Sequence, residues 1–566
     1  MYKKLLLAML LVLGFAATAS AQEVLQDSIT GTKTLTNDRT WLIRGFVYVV
    51  DGAVLNIEPG TVIFGEKTSK GTLIVERGGK IFARGEADKP IVFTSQQAPG
   101  QRAHGDWGGI VICGRAPMNL AAGEAQIEGG PRSRYGGNLP ADNSGVLKYV
   151  RIEFPGIALS PNNELNGLTF GAVGSGTEVD HVQVSYSGDD SYEWFGGNVS
   201  AKYLIAHRCV DDDWDTDFGW SGNLQFGVSL RDPQVADISG SNGIESDNNN
   251  VPNWANPRTS PAFSNMTIIG PLRDTSDAVN PLFRVGAHLR RNTLQSIYNS
   301  VIMGWPTGGI LLDNVGVRAA ADNDTLQVRN TVVAGVKLPY IRTASITGFD
   351  ALGWFNRPGY KNGHTNVINQ LEMIDPFNLT KPSFVTFPTS PLTQGGNFDA
   401  ARLQSSFFTK TNYIGAFSSS SDWTQGWANF DPQNTSYAGT ATATVTSVVF
   451  ASTAVGSTRD SLVAIICNTG GAPLAISQVS VTGDRFTIQN GQASYNVLPN
   501  STQSLTIRFS PTDTALANGT LSFMAKGQTY SIALSGRGLL SEPKIVIETG
   551  SKLDFALVRV NESVQD

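Results

Sequence analysis

The sequence predicts an all-β chain, a right-handed parallel β-helix followed by an Ig-like β-sandwich. Three observations carry this. The composition is rich in Gly, Val, Ile, Thr, Phe and Asn and poor in charge, as in strands broken by many turns. Short motifs recur through the first three quarters of the chain, the mark of a solenoid whose coils bury a continuous core only by stacking. Beyond residue 446, alternating strands recur about every ten residues with Gly, Pro and Asn between them, the pattern of a sandwich.

The first element is a targeting segment. Lys3 and Lys4 precede an apolar run, Leu5 to Phe15, too short to span a bilayer, and Ala19-Ser20-Ala21 supplies small residues for cleavage. Residues 1–21 therefore read as a signal peptide and the mature chain as secreted or cell-surface. No Cys follows that run, which argues against a lipoprotein, and no later stretch reads as a transmembrane helix.

Residues 22–435 read as the β-helix. Leu55 to Phe64 is echoed by Leu73 to Phe82 at an offset of 18. Segments 166–188, 189–210 and 211–232 each carry Phe-Gly, at Phe170, Phe195 and Phe218, and those three rings are expected to stack in the core. Asn followed by a β-branched run and Gly recurs at Asn265, Asn299 and Asn330. Such periods fit one coil, with inserted loops where they lengthen, whereas propeller blades need about 40–50 residues. The N-terminal Gly52–Ser95 coils are expected to begin the stack, and Trp423–Pro432 to close its far end.

Residues 436–446 read as a linker, 447–540 as an Ig-like sandwich, and 541–566 as the start of a second, truncated one, because Phe450…Val455 is echoed by Phe555…Val560. The net charge of −6 argues against nucleic-acid binding. Cys113, Cys209 and Cys467 have neither disulfide-framework nor zinc spacing and read as buried small hydrophobes. The five His show no metal spacing and read as structural.

Several motifs carry a family resemblance. Gly105-Asp106-Trp107-Gly108-Gly109, Ile127-Glu128-Gly129-Gly130, Asp189 to Gly197, Asp211 to Gly222, Gly243 to Asn248 and Trp423 to Pro432 resemble a Bacteroidetes-type secreted β-helix family, over about residues 30–435. That resemblance implies a surface protein, in some members exported by the type IX route, and no settled activity. Residues 446–540 resemble the choice-of-anchor D or ASH-type Ig-like domain, through Asn468 to Leu474, Phe509-Ser510-Pro511 and Leu534-Ser535-Gly536-Arg537-Gly538. This implies an extracellular spacer or binding module rather than catalysis.

The chemistry concentrates in one acidic stretch. Asp189 and Asp190 lie one coil from Asp211, Asp212, Asp213, Asp215 and Asp217, with Glu193 between. In register, these carboxylates stack about 4.8 Å apart, where two charges repel by about 3–4 kcal/mol at an effective dielectric near 20. Two readings stand: a Ca²⁺ site, to which Asn248, Asn249 and Asn250 could add carbonyl oxygens, or solvated turn residues capping nearby N–H groups. Trp194, Trp214 and Trp220 lie in the same repeats and read either as a sugar-binding face or as packing. The favoured function is a non-catalytic scaffold binding extracellular polysaccharide or cell-envelope components, with no catalytic residue assigned. The alternative is a polysaccharide lyase or glycoside hydrolase, using Asp212 and Asp213 with Arg208, or Arg284, Arg290 and Arg291.

Overall fold

The computed structural model describes residues 22–540, apart from 38, 161–162, 338, 438–440, 469–473, 498–500 and 527. The expected signal peptide and second sandwich lie outside the described residues. Contacts divide the chain into two compact units, one centred on residues up to Thr440 and the other on residues from Ala441 onward.

The first unit is a parallel β-helix. A 17-stranded sheet and an 11-stranded sheet wind around one core. Short β-branched runs end at turns, so each strand is only a few residues long, and its coil must repeat to bury it. The stacking is in register. Val47, Leu73, Ile110, Leu168, Tyr192, Trp214, Ile244, Ala287, Ile310 and Ile341 form one unbroken inward column over ten coils. The stack begins at Glu23–Leu25, earlier than expected.

The offset-18 echo does not mark one coil. Leu55 pairs with Ile81, whereas Leu73 pairs with Val47 and Ile110. The echoed segments lie on different faces and resemble each other because each is strand, Gly turn, strand. The Asp and Asn repeats do follow the coils: Tyr192 pairs with Trp214, which aligns Asp190 with Asp212, and Thr267 pairs with Val301, which aligns Asn265 with Asn299.

One corner column is unusual. Tyr149, His181, Tyr203, Phe226, Asn265, Asn299 and Asn330 occupy equivalent positions on successive coils, all with φ between 49° and 62°. Non-Gly residues rarely adopt this region. Here it bends the strand and throws each side chain outward onto the next. The first four rings stack at centroid distances of 4.4, 4.3 and 4.9 Å, and the three Asn continue the column.

A returning strap covers that column in reverse coil order. Asn330 donates to Gly395 O, Asn299 to Asn397 O, and Asn265 to Tyr413 O and Gly415 O. Trp423 then sits edge-on to Tyr203, and Trp427 edge-on to His181 and Tyr149. Trp423–Pro432 therefore does not close the far end. Its aromatic side chains pack instead against the outward rings of Tyr149, His181 and Tyr203. The far end is covered instead by the short helix Ala351–Phe355, whose Trp354 Nε1 donates to Ala321 O at 3.1 Å.

The expected Phe stack is only partly internal. Phe170 faces inward and stacks on Trp194 at 5.7 Å. Phe195 and Phe218 face outward, Phe195 meeting Tyr135 of the excursion between Cys113 and Gly145, because Phe195 follows an inward residue and strand side chains alternate. Cys113 and Cys209 are buried; Cys467 is only half-buried, and all three are free.

The second unit is an Ig-like β-sandwich of a four-stranded and a five-stranded sheet. Phe450, Phe486 and Phe509 meet in its core with centroids 5.2 to 5.6 Å apart. Ser447–Ala454 pairs in parallel with Gln528–Leu539, joining the unit's beginning to its end.

The corner column generates a stability prediction. Asn299 is fully buried, donates to Ser264 Oγ and Asn397 O, and accepts from Asn397 N–H. Asn299→Ala leaves these groups unpaired and puts a disfavoured residue at positive φ, so it should cost about 2–4 kcal/mol. Asn299→Gly, which relieves the backbone but not the lost bonds, should cost less. Urea unfolding of the two variants checks this order.

Candidate functional site: a buried carboxylate column

The acidic column lies on the 11-stranded face. Tyr192–Gly197, Trp214–Asp217 and Ile244–Ser246 are successive strands there, and their alternation is strict. Tyr192, Trp194, Trp214 and Ile244 point inward. Glu193, Asp215 and Glu245 point outward, and register turns them into one column that continues to His288.

A second column forms in the turns just before these strands. Asn166, Asp190, Asp212 and Asn242 occupy equivalent positions. Asp190 Oδ1 accepts the Asp212 N–H at 2.7 Å, and Asp212 Oδ1 in turn accepts the Asn242 N–H. Each carboxylate thus caps the backbone of the following coil, so the capping reading of these Asp residues is met for one oxygen of each.

Together the columns form three acidic groups: Asp189, Asp190 and Asp211; Asp190, Glu193 and Asp215; and Asp212, Asp215 and Glu245. In each group one oxygen per residue lies within 4.8 Å of the other two. Such clusters could hold a metal ion. Burial, reinforced by neighbouring carboxylates, raises Asp189, Asp190, Glu193, Asp212 and Asp215 well above the usual carboxylate range. Asp217 is pushed up to about 8 by burial and then by Asp247.

Cations are few. Arg290 pairs with Glu245 and, at 2.8 Å, with Asp247, which Arg291 also meets at 2.7 Å. His288 lies 3.8 Å from Glu245 and 3.3 Å from Asp313.

Not every predicted site residue joins. Asp213 turns the other way, inside the fold, to Arg231 at 3.0 Å, with Cys209 beside both. Asp212 and Asp213 are therefore no catalytic pair: the chain bends here, and the two carboxylates take different partners. Arg208 is held by Asp232. Asn248 and Asn249 bond Asn119 and the neighbouring loop rather than the column.

Trp194, Trp214 and Trp220 are all 0 % exposed. They stack inside the helix, Trp194 on Trp220 at 4.6 Å and Trp214 on Tyr192 at 5.0 Å. The sugar-binding expectation for them is corrected by the same alternation that turns Glu193 and Asp215 outward.

Glu245, His288 and Asn166 were not assigned from the sequence as members of the site, and Arg290 was named only for the catalytic alternative. A signal existed: Asp190-x-x-Glu193, Asp212-x-x-Asp215 and Asn242-x-x-Glu245 share one spacing. The insertion of residues 231–241 before the last copy obscures it.

Residues 27–359 match the model of a family described as the pectate-lyase-like β-helix domain. No curated protein is significantly similar to the chain. Among solved structures, the ASH / PapD-like domain of human CEP192 (PapD-like domain 7) shows 15 % identity and a TM-score of 0.15, over 18 % of this chain and 87 % of that one. The family match spans more than half of the chain, along the coils that build the acidic column, and the protein belongs to the pectate-lyase-like β-helix domain family.

Proposed function

We propose that the protein is an exported scaffold of the cell surface or surroundings, binding extracellular glycans or cell-envelope polysaccharide without cleaving them. Its carboxylate column holds Ca²⁺, and acidic groups of the glycan complete the ion's coordination. The observation that carries this is the charge imbalance. Seven carboxylates crowd the three acidic groups, yet among the described residues their ion-pair partners are Arg290 and His288, both on Glu245. An all-oxygen donor set with flexible geometry suits Ca²⁺ rather than Mg²⁺ or a softer metal. The motifs resembling a secreted surface family and a choice-of-anchor D or ASH-type domain support export and a spacer role for the sandwich.

A second reading, glycan cleavage by a lyase or hydrolase, is favoured by one feature, the Arg290 guanidinium at the edge of the carboxylates. Against it stands the separation of Asp212 from Asp213.

Thermal unfolding of the purified chain tests the cation. A ligand binding only the folded state stabilises it by about 2.7 kcal/mol at a hundredfold excess over its Kd. Ca²⁺ should raise the melting temperature relative to chelator and Mg²⁺, and Asp189→Asn with Asp212→Asn should abolish the rise. Identical curves in all three conditions would overturn the reading.

Incubation with a panel of acidic and neutral glycans separates the two functions. Ca²⁺-dependent retention of an acidic polymer with unchanged chain length is expected. Release of fragments, lost in Arg290→Lys, would establish cleavage.

The pH dependence of the chelated protein has a defined sign. Asp217 has a folded pKa of about 8 against an ordinary 3.8, so its proton favours the folded state. That stability is complete below about pH 4 and is lost as pH rises through 8. Denaturation midpoints measured with chelator from pH 4 to 8 should therefore fall, and Asp217→Asn should flatten the decline.

A further inference from the structure

A polar cavity of about 360 Å³ opens at the corner where strands of the 17-stranded sheet end. Small-molecule sites occupy about 300–1,000 Å³. Tyr186 and Arg208 directly follow the paired strands Glu178–Ser185 and Ala201–His207, and both have positive φ, 57° and 56°. Arg102 and His104, from the excursion between Ser95 and Gly109, form a second wall, and the strap from Asp431 to Asn434 a third. None of its lining residues belongs to the three acidic groups.

The fold itself holds these walls. Gln433 donates to Arg102 O at 3.0 Å, and Arg102 to Thr435 O at 2.9 Å. Arg208 is balanced by Asp232 at 2.5 Å. Phe154 and Arg208 pack on the Tyr186 ring, at 4.9 and 4.7 Å, so its hydroxyl rather than its face is on offer. His104 Nε2 lies 2.9 Å from Arg208 O. A carbonyl only accepts, so Nε2 carries the hydrogen. Burial lowers the His104 pKa, and the neutral ring keeps a lone pair on Nδ1. The Asp431 carboxylate takes both its side-chain bonds from the one Asn434 amide, which leaves lone pairs over.

Two lining residues also carry buried atoms without a partner, Arg208 Nε and Gln433 Oε1, although buried polar atoms are almost always paired. The groups on offer are thus mixed. Arg208 and Tyr186 donate; His104, Asp431 and Gln433 accept. A ligand that meets both kinds needs groups that donate and accept at once. Hydroxyls do so, whereas carboxylates only accept and ammonium groups only donate.

We propose, deepening the glycan-binding reading above, that this corner cavity holds one neutral sugar unit by a pair of adjacent hydroxyls, without a metal ion. The hydroxyls donate to Asp431 and His104 and accept from Arg208 and Tyr186. The sugar is either free or the end of a glycan chain.

Saturation-transfer NMR of the purified full chain in chelator tests this, with methyl glycosides of the common neutral hexoses and pentoses as probes. At least one should bind, and its analogue lacking one hydroxyl of the pair should bind about tenfold more weakly. Tyr186→Phe, which keeps the ring, and Asp431→Asn should each weaken binding by a similar factor, with circular dichroism unchanged. An oligosaccharide ending in the same sugar binds equally if a chain end is the occupant and not at all if a free sugar is; either result bears out the cavity. Binding unaffected by both substitutions places the sugar elsewhere and overturns the proposal. So does a panel in which no glycoside binds, which leaves the cavity to ordered water. A native chain that retains acidic polymer with Ca²⁺ but binds no neutral glycoside loses this cavity alone. One that binds the glycoside in chelator but no acidic polymer loses the cation reading alone.

Discussion

In-register parallel stacking is the constraint on which the rest of this molecule depends. Each coil places its residues one strand separation from their equivalents on the next, so the choice made at one position is repeated along the axis. A column of Val, Leu, Ile and Trp becomes a core. A column of positive-φ residues becomes a continuous corner, first aromatic and then Asn. A column of Asp and Glu becomes a concentration of charge that no single turn could produce. The three columns obey one geometry and differ only in side-chain chemistry.

The geometry also explains why the strap lies where it does. Outward side chains of the corner column cannot satisfy one another completely: each Asn bonds along the stack or carries donors and acceptors left facing outward. The strap brings backbone groups to them, Gly395 O, Asn397 O and Gly415 O, and sets Trp423 and Trp427 against the rings. Farther along, Arg102 donates to Pro432 O and to Thr435 O at 2.9 Å, and Tyr437 Oη donates to Glu153. The strap is thus a complement to the column, and its path back along the coils follows from the column's own length.

What the sequence disclosed depended on whether a motif tracked the coil or the local chain. Asn265, Asn299 and Asn330 sit at the same corner, so their recurrence marked true register. Leu55 to Phe64 and Leu73 to Phe82 share a turn chemistry rather than a place, and their offset misled. The stacking of Asp190 over Asp212 was legible because no insertion separates those coils, while Glu245 was hidden by residues 231–241. The Trp residues were misjudged for another reason. Their neighbours are acidic, but in a strand the neighbour faces the other way, and only the parity of Glu193, Trp194 and Phe195 tells which side each takes. The strap was illegible because its partners lie far away in sequence and it carries no repeat.

The contrast between two buried acids shows what sets the column apart. Asp213 is as buried as its neighbours, but Arg231 and Cys209 both meet its Oδ1 inside the fold. Asp212, one residue earlier, faces a column whose members are all acids or amides until Glu245 reaches Arg290. Burying like charges is costly unless protons or cations neutralise them. Protons can do so, as the raised pKa of Asp217 illustrates. A divalent cation, as proposed above, would neutralise the carboxylates without a proton.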